Sequence, residues 1–218
     1  MKVYFISGLA ADRRVFKHIR LPEGFEIIHL DWIQPKKNES LASYALRLAE
    51  KIETKEKFAL VGLSMGGMIA SEIAKKYKPV ITILLSSVPT YKQFPAVFKI
   101  AYQTKLHKII PTSLLKSVSI IKHFFSAEDP KDKIVLRQIV KDSDKVFIRW
   151  ALGAIFQWKN EDIPDSLWHI HGTNDKVLPI RNTKPTHTIK KGGHLMVMSR
   201  AGELNKIIGP LLINYSKS

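Results

Sequence analysis

Residues 58–77 read FALVGLSMGGMIASEIAKKY, and the fold turns on how that apolar run passes into Gly62-Leu63-Ser64-Met65-Gly66-Gly67. The run "KFALVG" reads as a buried strand, and Ser64 to Lys78 as a helix ended by Pro79. Glycines at such a junction let the strand and helix backbones approach closely. Two readings follow. Either the turn is tight for backbone reasons alone, or it presents the Ser64 hydroxyl as a nucleophile.

The chain around this segment alternates. "KVYFIS" from Lys2 and "FEIIHLDW" from Phe25 read as strands, the second after the turn signal Pro22-Glu23-Gly24. Residues 39–55 repeat apolar positions at Leu41, Tyr44, Ala45, Leu48, Ala49 and Ile52, an amphipathic helix with Ser40 as its N-cap. "VITILLSS", residues 80–87, is apolar nearly throughout, as strands covered on both faces are. Strands alternating with helices imply βαβ units and a parallel sheet with right-handed crossovers.

Alternation then stops. Four helices are expected between residues 89 and 162: 94–110, 112–126, one starting at Asp129-Pro130, and 143–158. Strand patterns return at "SLWHIHG" (166–172) and, weakly, at "PTHTIK" (185–190), before a last helix over 196–213. The expected organisation is an α/β core of residues 1–88 and 163–218, with 89–162 inserted as a helical cap or lid. The insertion leaves the C-terminal end of a strand, where open parallel sheets bind ligands.

The composition is that of an ordinary globular protein, 45% hydrophobic over 218 residues. No cysteine is present, so disulfides, thiol nucleophiles and thiolate metal sites are excluded. The N-terminal "MKVYFISGLAADRR" is not expected to be a signal peptide, since its apolar run spans only about five residues. No segment nears the roughly 18 apolar residues of a membrane span. A soluble cytoplasmic protein is the default expectation. The net charge of +16 raises nucleic acid as a partner. However, residues 89–162 carry 13 Lys/Arg and 7 Asp/Glu, a share of the charge close to their share of the length. With no basic block and no aromatic-interleaved ribbon, the charge reads as a solvated lysine-rich surface, and no nucleic-acid partner is expected.

Gly62-Leu63-Ser64-Met65-Gly66 matches G-x-S-x-G between a strand and a helix, the setting of a nucleophile elbow. A phosphate-binding loop is a poorer reading, because no Lys-Ser/Thr follows the glycines. A serine hydroxyl needs a base, and the base an orienting carboxylate. The acid candidate is Asp175 in "HIHGTNDKVLP", just past a strand, with a turn or capping aspartate as the alternative. Glu161, Asp162 and Asp165 precede that strand and would lie at the wrong edge. The base candidate is His194 in "KKGGHLMVM", at a loop-to-helix junction after the last strand. An oxyanion needs two donors, expected from the backbone N–H of Met65 and of Leu9. His169 and His171 share a strand face but have no third ligand in pattern, so no metal is expected. Trp150, Phe156 and Trp158 are candidates to line a substrate pocket; the alternative is that they pack the cap onto the core.

Together the elbow, the "HGTND" strand end, the "GGH" loop and the order Ser64, Asp175, His194 resemble the α/β-hydrolase superfamily over nearly the whole chain. The resemblance implies a mostly parallel six-stranded sheet with helices on both faces and a helical cap. It implies a Ser-His-Asp esterase or related acyl hydrolase, acting on a small-molecule ester or thioester and needing no cofactor. Same-fold lyases and C–C bond hydrolases use this triad too, and a non-catalytic binding module is a further alternative. The chain departs from many relatives in having Ser7-Gly8 where they have His-Gly. It also begins at what would be their third strand.

Overall fold

Continuous apolar runs make the centre of the sheet. The computed structural model describes residues 1–103 and 129–217. Its strands are β1 (Lys2–Ile6), β2 (Glu26–His29), β3 (Phe58–Leu63), β4 (Ile81–Leu85), β5 (Leu167–Gly172) and β6 (His187–Ile189). They form one sheet in the order β2-β1-β3-β4-β5-β6, and all five pairings are parallel. Every residue of β3 and β4 is buried, as expected of strands with helices on both faces. The strand order reverses at β1, since β2 lies on one side and β3 on the other. That reversal opens a crevice at the C-terminal ends of β1 and β3.

The helices are α1 (Leu41–Leu48), α2 (Met65–Tyr77), α3 (Ala96–Gln103), α4 (Pro130–Asp142), α5 (Lys145–Gln157), α6 (Met196–Ser199) and α7 (Ala201–Ser216). Side chains alternate across a strand, so each strand feeds two cores. Val3, Phe5, Val61, Ile83 and Ile170 pack with α6, α7 and the 3-10 helix Arg13–Phe16. Tyr4, Ile6, Leu60 and Leu84 pack with α1 and α2 on the opposite face.

Capping chemistry sets several helix starts. Ser40 accepts the Ser43 N–H before α1, Asp129 the Lys131 N–H before α4, and Asp144 the Phe147 N–H before α5. Two ends differ from expectation. The helix expected over 39–55 stops at Leu48, and Ala49–Lys51 tightens into a 3-10 turn. Ile52 then turns extended and buries its side chain. The last helix is broken at Arg200, whose backbone leaves helical geometry between α6 and α7. The expected helix 112–126, and the end of that over 94–110, lie outside the described residues.

The segment between β4 and β5 straddles both cores. Leu136, Ile139 and Val140 of α4 join the α7 side. Phe147, Ala151, Ala154 and Ile155 of α5 join the α1/α2 side, where Phe147 meets Trp32 at 5.0 Å and Trp150 meets Tyr44 at 4.4 Å. Charges add to the attachment of α4: Asp132 receives Lys17 Nζ at 2.6 Å and His18 Nε2 at 3.0 Å, and Arg14 spans Asp12 and Asp142.

Behind α5, Trp158 donates its indole N–H to Glu72 Oε1 of α2 at 2.6 Å, and Lys75 reaches Glu72 Oε2 at 2.6 Å. Both Trp158 and Glu72 are buried. Trp158→Phe keeps most of the packing but removes a donor from a buried carboxylate. It is expected to cost about 1–3 kcal/mol. The check is a lower urea midpoint with an unchanged slope.

Candidate active site

Ser64 sits at the crevice where the strand order reverses, directly after β3 and before α2. Its backbone has φ 53° and ψ −120°, a left-handed conformation that a residue with a Cβ seldom adopts. The surroundings over-determine it. Ser64 N–H donates to Leu85 O at 2.9 Å, and Ser64 O accepts from Gly67 N–H at 2.9 Å and Ser87 Oγ at 2.7 Å. The elbow also needs its glycines: a Cβ on Gly62 would lie 2.4 Å from Gly66 O, and one on Gly66 only 2.2 Å from Ile6 O.

Two further loops reach Ser64 from the same sheet edge. His194, five residues after β6, places Nε2 2.9 Å from Ser64 Oγ. Asp175, three residues after β5, places Oδ2 2.8 Å from His194 Nδ1. Both side chains are buried. The other carboxylate oxygen, Oδ1, accepts the Val177 and Leu178 N–H groups at 2.9 Å each. Burial opposes ionisation of Asp175 most strongly of any single effect. The His194 ring beside it, the Leu178 amide and His171 together outweigh that and hold its carboxyl below the usual carboxylate range. The Asp175 and His194 loops are bound to each other. Thr173 N–H donates to Ile189 O, Asn174 N–H to Gly192 O, and Lys191 N–H to Thr173 Oγ1. Gly172 and Gly192 cross so closely that a Cβ on the first would lie 2.2 Å from the carbonyl oxygen of the second.

The loop after β1 passes the opposite side of the serine, where a Cβ on Gly8 would lie 3.2 Å from Ser64 Cβ. It closes through Ala11 N–H to Gly8 O at 3.1 Å, with Ala10 at φ 55°. Ser7 donates its buried hydroxyl to Ala11 O at 3.0 Å, and Trp32 Nε1 donates to the same oxygen at 2.8 Å. These bonds hold the loop from behind. The N–H groups of Leu9 and Met65 meet no acceptor among the described residues, and Met65 opens α2, whose N-terminal dipole favours negative charge.

A model described as the alpha/beta hydrolase family matches residues 3–207. The chain belongs to this family. Among solved structures, the α/β hydrolase is similar to an esterase from Exiguobacterium antarcticum, with 20% identity, a TM-score of 0.72 and coverage of 100% of this chain and 92% of the other. It is also similar to MenH from S. aureus (18%, TM-score 0.74, 99% and 94% covered) and a thermophilic esterase from Thermogutta terrifontis (18%, 0.68, 99% and 90%). No curated protein matches the sequence.

The three aromatic pocket candidates of this α/β hydrolase each meet another element. Trp150 donates to Glu39 O at 2.8 Å and stacks near Tyr44, Phe156 packs edge-on to Phe98, and Trp158 holds Glu72. Trp150 and Trp158 border an open cleft beside Glu72 and Lys75. Glu72 lies eight residues beyond Ser64, about 12 Å along the helix. A smaller cavity of about 230 Å³ adjoins the loop after β1, lined by Ala10, Ala11, Trp32, Ile139 and Phe147 among others. Phe147 and Trp32 were legible only as core or strand-end residues, because which rings meet depends on how the inserted helices dock. Among the described residues no group of three His, Cys, Asp or Glu side chains is placed to hold a metal ion, and no helix is long and apolar enough to cross a membrane.

Proposed function

We propose that the chain is a serine hydrolase of small carboxylic esters or thioesters, working through Ser64, His194 and Asp175. One observation carries the reading: the unbroken chain of contacts from Ser64 Oγ through both ring nitrogens of His194 to Asp175 Oδ2, at 2.9 and 2.8 Å. Membership of the alpha/beta hydrolase family supports it. In this mechanism Ser64 Oγ attacks the acyl carbonyl as its proton passes to His194 Nε2. The carbonyl oxygen becomes an oxyanion held by the Leu9 and Met65 N–H groups, each worth about 10²–10³ in rate. Collapse expels the alcohol or thiol with the proton from His194. Water, deprotonated by the same nitrogen, then releases the acid and regenerates the Ser64 hydroxyl. No cofactor enters these steps.

The 230 Å³ cavity beside Ala10 is the proposed seat of one side of the ester. It is smaller than the roughly 300–1,000 Å³ of sites for drug-sized ligands, which suits a short group, and its wall is mixed, with Trp32, Ile139 and Phe147 beside Asp12, Asp142 and Asp144. In this reading the helices of residues 89–162 act as the cap, with Phe147 and Ile139 as its contribution to the cavity wall. The test is a fluorophosphonate probe, which phosphonylates activated serines. Mass mapping is expected to place one adduct on Ser64, and p-nitrophenyl acetate turnover is expected to vanish with labelling. An unlabelled wild-type protein overturns the proposal.

A further inference from the structure

The mechanism leaves two buried imidazoles unused, although both lie on the strand that leads to Asp175. His171 is fully buried and His169 nearly so. Their proton positions follow from one carbonyl. His171 Nε2 lies 2.7 Å from Leu178 O, and a carbonyl can only accept, so Nε2 carries the proton. His171 Nδ1 is then bare and accepts from His169 Nε2 at 3.0 Å. Burial first, and then the neighbouring His171, push the His169 pKa down to about 3, and burial lowers that of His171 as well. Both rings are therefore neutral donors in fixed tautomers.

What His171 holds is the far end of the turn that orients Asp175. The Leu178 N–H binds Asp175 Oδ1 at 2.9 Å, while the Leu178 carbonyl binds His171. The same His171 Nε2 lies 3.4 Å from Asp175 Oδ2, the oxygen that faces His194. Loss of this donor would release Leu178 and, with it, one of the two amides that fix the carboxylate plane. We propose that His171 is a positioning residue for Asp175, gripping Leu178 so that Oδ2 points at His194 Nδ1. The proposal rests on the triad reading given above. Neutrality matters here: a charged imidazole at this distance would compete with His194 for the same oxygen.

The experiment compares His171→Leu with His171→Gln, using p-nitrophenyl acetate and the fluorophosphonate probe. Both substitutions remove the ring nitrogen that faces His169, so both disturb the packing there. Only glutamine can present an N–H toward Leu178 O. His171→Leu is expected to lose about 10–100-fold in kcat with KM nearly unchanged, and to be labelled correspondingly slowly, as misplacement of a catalytic group does. His171→Gln is expected to recover most of that loss at a thermal midpoint similar to that of His171→Leu. Wild-type kcat in His171→Leu, or a glutamine variant as slow as the leucine one, overturns the proposal. Failure of the triad reading shows differently, as labelling of Ser64→Ala at the wild-type rate or no labelling of the wild type, and takes this proposal with it.

Discussion

Asp175→Asn is expected to lower ester turnover by about 10⁴-fold and Ser64→Ala by about 10⁶-fold, both as folded proteins. The difference follows from what each group does. Without the Ser64 oxygen no acyl-enzyme forms, and what remains is binding and oxyanion stabilisation of a water reaction. Asp175→Asn keeps the shape of the acid and can still accept the Val177 and Leu178 amides at one oxygen. An amide N–H₂ then faces His194 Nδ1, which must accept, so the proton moves to Nε2 and cannot be taken from Ser64. The sign with pH is also set. Because the Asp175 pKa is depressed in the folded state, its contribution to stability is present above the unfolded value of about 3.8 and is lost as pH falls through the lower folded value. Between pH 5 and 8 Asp175 stays ionised, and the activity deficit of Asp175→Asn should be present across that window. Steady-state kinetics at several pH values, with circular dichroism to confirm folding, checks both parts. Asp175→Asn activity within about tenfold of wild type would remove Asp175 from the mechanism.

Gly66→Ala is expected to be among the most damaging single-methyl changes at the glycines of this chain. The added Cβ would lie 2.2 Å from Ile6 O and 2.3 Å from Ser7 O. These are backbone atoms of the sheet and of the loop after β1, so no side chain can swing away. Small-to-large changes in packed interiors typically cost about 1–3 kcal/mol, and here the start of α2 must leave β1, which places the cost at or above about 3 kcal/mol. Against a total stability of about 5–15 kcal/mol, a substantial fall in the urea midpoint or loss of soluble protein is expected. Gly153 offers an internal comparison: its added Cβ would meet nothing nearer than Gln157 Nε2 at 3.7 Å, so Gly153→Ala should be far milder. A Gly66→Ala protein as stable as wild type would show that the elbow is less tightly closed than these distances say.

The strand–helix alternation was legible because β3, β4 and α1 carry uninterrupted or strictly periodic apolar residues. So was the placement of Ser64, Asp175 and His194, since each follows a strand of a parallel sheet and parallel strands end on one edge. What periodicity does not encode is contact between distant segments. Nothing in "HIHG" distinguishes the His171 that grips Leu178 from an ordinary core histidine, because its partner is a backbone carbonyl seven residues on. Likewise, the sequence does not say that Trp158 bonds Glu72 or that Phe147 meets Trp32. Helix ends were misjudged where a backbone turn decides the matter, at Ile52 and Arg200, rather than a Gly or Pro in the sequence.

The crossing of Gly172 and Gly192 makes the Asp175 and His194 loops a single mechanical part. Backbone bonds join the two segments on either side of the 2.8 Å contact between His194 and Asp175. They meet the serine turn across the 2.9 Å from His194 to Ser64 and share one sheet with it. A single residue, His194, thus carries both the contact inside this joined part, at 2.8 Å, and the contact from it to Ser64, at 2.9 Å.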